Sequence, residues 1–144
     1  MNKVLAWGVV IVWIGFIYSM TFTPGSDSAA LSMGFVLRVE TVLDFFSINI
    51  ERDTLHLLVR KGAHLGVYFF LGIWLINALS YHTNKPKVMF FIGLGCALLV
   101  ASLDETFQLF VEGRHGSIID VIIDMIGATM GASLMLYLKM RLLK

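Results

Sequence analysis

Apolar residues in this chain gather into four long runs, at about 3–22, 62–81, 88–103 and 118–138, with shorter polar stretches between them. Roughly 20 residues of α-helix cross the hydrocarbon core of a bilayer, so each run predicts a membrane-spanning helix. The third, "VMFFIGLGCALLVASL", is short for that thickness and is expected to continue into "DETFQLF" at the interface. The first, "KVLAWGVVIVWIGFIYSMTF", is long and Trp-rich and no small-x-small site follows it, so it reads as an uncut anchor and not as a cleaved signal peptide. Between the first two runs the period changes. "LSMGFVLRVETVLDFF" places Leu31, Phe35, Val39, Val42 and Phe46 on one helical face, with Glu40, Thr41 and Asp44 largely on the other. An amphipathic helix over about 29–46 follows. It either lies half sunk among lipid headgroups or packs as a lid over the ends of the spans. "SINIERD" breaks that pattern, and a helix is expected to restart near Thr54 and run into the second span. The expected fold is all-α: one domain over residues 1–144, an integral membrane four-helix bundle with an extra interfacial helix between spans one and two.

Composition agrees. The 144 residues are 58% hydrophobic and only 15% charged, against about 25% charged in ordinary globular domains. Basic residues mark cytoplasmic loops. Lys3, Lys85, Lys87, Lys139, Arg141 and Lys144 stand at the termini and in the second loop, unaccompanied by acids. The ten acids lie in or beside the first and third loops, with Arg38, Arg52, Arg60, Lys61 and Arg114 as a basic minority. Both termini are therefore expected in the cytoplasm and the acid-bearing loops outside. A lone Cys96 reads as a small packing residue. No Gly-rich phosphate loop, zinc-type Cys/His spacing, basic nucleic-acid-binding patch or internal repeat is visible. No metal site, cofactor or nucleic-acid partner is expected from these patterns, and oligomeric state has no signal. A transporter is disfavoured, since inverted repeats and broken helices are missing.

Against this apolar background the polar residues inside or beside the spans carry the information. At about 100° per residue, Arg60, Lys61, His64 and Tyr68 share one side of the second helix. Asp104 and Gln108 lie one turn apart on the third, with Glu105 beside them, and Asp120, Asp124, Gly127 and Gly131 form a narrow stripe on the fourth. A charge near hydrocarbon costs several kcal/mol unless paired or hydrated, so these groups are expected to face one another or a wet pocket. Duller roles stand beside that one. "SIID" fits a capping box in which Ser117 and Asp120 finish the fourth helix. Gly127 and Gly131 form a small-xxx-small packing pair. Arg60 and Lys61 can serve as headgroup anchors, and His64 as a hydrogen-bonded structural residue. Glu112 and His115 read as solvated loop residues.

"YSMTFTPGSDS", "LHLLVRKGAHLGVYFFLG" and "DETFQLFVEGRHGSIIDVIIDMIGATMG" together resemble the VanZ-like family of small bacterial membrane proteins, over most of the chain. Carried over by position, the motif residues are Arg60, Lys61, His64, Tyr68, Asp104, Glu105, Gln108, Gly113, Arg114, Asp120, Asp124, Gly127 and Gly131. The chain departs from the family pattern at Val67, Phe107 and Glu112, where Glu, His and Pro are frequent. The loss of those groups weighs against metal ligation and against His-based acid/base chemistry. The resemblance implies a bacterial cytoplasmic membrane and a link to low-level resistance to teicoplanin, with no agreed biochemical activity. The first expectation is an envelope-modulating binder. Arg60, Lys61, Arg114 and His64 would hold an anionic lipid or lipid-linked cell-wall precursor headgroup, oriented by Asp104, Glu105, Asp120 and Asp124. The second is an intramembrane enzyme acting on a lipid-linked phosphate or glycan through His64 and the carboxylates. The third is a purely structural ion-pair network.

Overall fold

The computed structural model describes residues 2–142. Lys144, one of the residues used above for orientation, lies outside the described residues. Five helices follow one another: α1 (Lys3–Thr21), α2 (Gly25–Phe45), α3 (Arg52–Leu79), α4 (Pro86–Gln108) and α5 (Ile118–Leu142), with no strand among the described residues. Local chemistry explains their limits. The Asn2 side chain caps α1 by accepting from the Leu5 N–H at 2.9 Å. Pro24, which cannot continue a helix from behind, separates α1 from α2. Pro86 opens α4, where a missing N–H costs nothing. Asp120 in the first turn of α5 and Lys139 and Arg141 in its last both complement the helix dipole.

α1, α3, α4 and α5 are long and apolar enough to cross a membrane. They leave large apolar side chains such as Val12, Phe91, Leu99 and Ile119 on the outer surface. A water-facing monomer rarely exposes so much; a bilayer-facing one must. The chain is a multi-pass membrane protein. The expected extension of the third span is present, since α4 runs through Gln108, and α3 starts two residues before Thr54.

α3 is the central element, packing most extensively on α5 and also touching α1, α2 and α4. The α3–α5 approach is close because glycines stand at the crossing, Gly72 on α3 and Gly127 and Gly131 on α5. A Cβ on Gly127 would overlap the Leu65 carbonyl, and one on Gly131 the Phe69 carbonyl. The small-xxx-small pair is therefore a packing face. Leu71, Leu75, Ala97, Ala101 and Ala128 form the main core with Ala6, Val10 and Ile17 of α1.

The Trp7 Nε1–H donates to His82 Nε2 at 2.9 Å, tying the start of α1 to the α3–α4 connection. At the opposite end Gly25 N–H donates to the Glu112 carbonyl at 3.0 Å. The acid-free cations thus gather at one end and α2 lies at the other. α2 begins at Gly25, earlier than the amphipathic pattern indicates, because "GSDSAA" extends the helix back to Pro24. Its apolar face (Leu31, Phe35, Val39, Val42, Phe46) stays exposed and only Val36 is buried, as suits a helix half sunk at an interface. A bidentate Arg52–Glu40 pair, 2.9 and 3.0 Å, links α2 to the start of α3.

Candidate functional site

Beneath α2, the helix ends and the α4–α5 connection bring together Arg60, Lys61, His64, Tyr68, Asp104, Glu105, Gln108, Arg114, Asp120 and Asp124. α3 contributes Arg60, Lys61, His64 and Tyr68, spaced so that all four meet the α4–α5 side of the bundle. Lys61 Nζ donates to Asp120 Oδ1, and Arg60 Nη2 stands 3.5 Å from Asp120 Oδ2. Asp120 is therefore matched by two cations from α3. It does not complete a capping box: the Ser117 N–H that such a box would satisfy donates to Glu105 Oε2 at 2.7 Å. The cap comes across the turn from α4, which frees Asp120 for the ion pairs.

His64 Nδ1 lies 3.1 Å from Asp124 Oδ1 and 4.0 Å from Glu105 Oε1. Asp104 is held by three donors. These are the Thr21 hydroxyl, the Tyr68 hydroxyl at 3.2 Å and the Gln108 amide at 3.3 Å. Gln108 Nε2 also reaches Glu105 Oε1 at 3.2 Å. Asp104, Glu105, Asp120 and Asp124 are all buried. Burying four carboxylates is tolerable only where donors or cations meet them, and this set has both.

Arg114 sits in the α4–α5 connection, where Gly113 at φ 70° turns the chain. Its Nη1 donates to Ser28 Oγ at 2.5 Å and its Nη2 to the Met20 carbonyl at 3.3 Å, fastening the connection to α1 and α2. Burial, and then the neighbouring Arg60 cation, pull the Arg114 guanidinium below its ordinary value, the nearby carboxylates opposing. Two guanidiniums are thus close enough to repel. The Nε–H of each is buried without a hydrogen-bond partner among the described residues.

These cations open onto a cavity of about 480 Å³. Arg60, His64, Tyr68, Asp104, Gln108 and Arg114 line its polar part, and Phe16, Ile17, Met20, Leu31, Phe35 and Val67 its apolar walls. α2 closes one side with Ser28, Leu31, Ser32 and Phe35, as a partial lid over the cavity. A smaller polar pocket of about 60 Å³ shares Arg60, His64 and Arg114 and adds His56 and His115 at its rim.

Sequence reasoning missed Thr21 and Ser28, the partners of Asp104 and Arg114. They are the first and last residues of "TFTPGSDS", a stretch whose Pro and Gly signal a turn but not which hydroxyl turns inward. It also missed that one ligating atom each from His64, Asp104, Glu105 and Asp124 lie within 4.8 Å of one another. The four come from three helices, so no local spacing betrays them.

No curated protein and no solved structure matches the chain. A protein-family model does, over residues 6–140, a stretch that takes in all four spans, α2 and every residue of the site. On that match the chain belongs to the VanZ/LLP1 family.

Proposed function

We propose that this protein is an envelope-modulating binder of the bacterial cytoplasmic membrane that holds the phosphate of an anionic lipid, or of a lipid-linked cell-wall precursor. The observation that carries this reading is the pair Arg60 and Arg114. Among the described residues their buried Nε–H groups have no hydrogen-bond partner, and they sit at the polar part of a cavity whose other walls are apolar. A phosphate between them relieves their repulsion and takes up the free donors, for which the planar guanidinium fork is well shaped. Acyl chains suit the Phe16, Ile17, Leu31 and Phe35 walls. With both termini in the cytoplasm, as the basic residues of the opposite end favour, the cavity faces outward. Occupying or shielding an outward lipid target there would lower glycopeptide accumulation, which is the route by which a teicoplanin-type resistance phenotype would arise.

Lipids co-purifying with the full-length protein, identified by mass spectrometry, test this. Arg60→Ala and Arg114→Ala should each lower anionic-lipid retention about ten- to a hundredfold, as the loss of a charge-assisted hydrogen bond implies. The headgroup masses separate a phospholipid from a lipid-linked precursor. Unchanged retention contradicts the proposal.

A second reading has one observation in its favour: His64, on the cavity wall, is oriented by Asp124 at 3.1 Å, as a general base is oriented by a carboxylate. Turnover of a lipid-linked phosphate or glycan, abolished by His64→Ala, decides for an intramembrane enzyme.

A further inference from the structure

Three carboxylates of the site lack a full cationic partner. Asp120 has Arg60 and Lys61, but among the described residues no Lys or Arg lies within 4.0 Å of Asp104, Glu105 or Asp124, and His64 alone approaches the last two. These acids are only 4%, 5% and 0% exposed. The arrangement is rich in lone pairs and poor in positive charge. Asp124 sharpens this: its Oδ1 faces His64, while its Oδ2 is buried and has no hydrogen-bond partner among the described residues.

We propose that His64, Asp104, Glu105 and Asp124 bind one divalent transition-metal ion. One donor atom from each residue lies within 4.8 Å of the other three. Around an ion with ligands at about 2.1 Å, neighbouring donors stand about 3.0 Å apart and opposite donors about 4.2 Å. The 3.1 Å between His64 Nδ1 and Asp124 Oδ1 already has the neighbouring-donor spacing, and small rotations close the rest. The orphaned Asp124 Oδ2 gains the partner it lacks. Carboxylate ligands in metal sites are held by outer hydrogen bonds, and here Thr21, Tyr68 and Gln108 hold Asp104 while the Ser117 N–H and Gln108 hold Glu105. Three hard oxygens with one imidazole suit Mn²⁺ or Zn²⁺ better than Ca²⁺ or Mg²⁺. His64 and Asp104 line the cavity, giving an ion its entry.

The site stands apart from the anionic-lipid reading, since neither Arg60 nor Arg114 is a ligand. The test uses full-length protein in detergent, stripped with EDTA and titrated with Mn²⁺ alone. Wild type should take up one ion per chain, and pulsed EPR should show nitrogen coupling from a bound imidazole. Zn²⁺ should displace the Mn²⁺, following the general affinity order. Asp124→Asn should weaken uptake by on the order of tenfold or more. His64→Gln, which retains a polar partner for Asp124, should abolish the nitrogen coupling. His82→Ala, at the other end of the bundle, should keep one-ion uptake. If an Asp124 variant fails to fold, the wild-type stoichiometry and nitrogen signal still decide. Absence of saturable uptake by wild type, a signal without nitrogen coupling, or loss in His82→Ala equal to that in Asp124→Asn overturns the proposal.

Discussion

At the residue scale the site works by matching each buried charge to a donor from another helix. Lys61 and Asp120 show it most simply. The pair is largely shielded from water, so removing Asp120 strands Lys61, while removing Lys61 leaves Asp120 with Arg60 alone. A double-mutant cycle of Lys61→Met and Asp120→Asn, read by thermal unfolding in detergent, should give a coupling of about 1–3 kcal/mol. The solvent-exposed Arg52–Glu40 pair should give little, because water screens it. Equal coupling in the two pairs contradicts this account. Residue roles were partly legible in the sequence. Charge and helical phase lead one to expect the polar faces bearing His64 and Asp124 to meet one another or a wet pocket, but the pairing itself comes from the fold. They could not say that Asp120 is released from capping, since that depends on Glu105 reaching across a turn to the Ser117 N–H. Thr21 and Ser28 are ordinary hydroxyls in a turn, and only the tertiary fold gives them Asp104 and Arg114 as partners.

At the element scale the site depends on how closely α3 and α5 approach. Asp124 lies one helical turn before Gly127, so the glycine stripe that permits the approach also sets the distance from His64 to Asp124. Gly131→Leu should separate the helices and lower the unfolding temperature. Ion or lipid retention should fall with it, although residue 131 touches no ligand. Gly95→Ala, where an added Cβ meets nothing within 4 Å, should be tolerated. A Gly131→Leu protein as stable as wild type would contradict the packing role. Spans are easy to read from sequence because the bilayer demands a fixed apolar length. α2 was legible in kind but not in extent. Its first turn, "GSDS", has no apolar face, and its start is set by Pro24 and by the Gly25 N–H meeting Glu112.

At the scale of the whole molecule, the two ends differ in chemistry: one is basic without acids, the other is mixed, covered by α2 and hollow. The proposed orientation puts the hollow end outside. In a Cys96→Ser background, single cysteines at Asn84 and His115 report it. A membrane-impermeant maleimide on intact cells should label His115→Cys, and Asn84→Cys only after permeabilisation. The reverse pattern would turn the cavity toward the cytoplasm and remove the link to an outward lipid target. The charge asymmetry was fully visible in the sequence. A polar pocket was expected from the charges; its apolar walls were not legible, since they come from α1, α2 and α3 together.

The central claim is that anionic headgroups are held by a built pocket and not by positive charge in general. Comparing two charge-matched variants tests it most directly: Arg60→Ala/Arg114→Ala, at the cavity, and Lys85→Ala/Lys87→Ala, at the opposite end. Each removes two positive charges. Mass spectrometry of co-purified lipid should show anionic lipid lost from the first protein and retained by the second. Equal retention, or equal loss, would contradict the account.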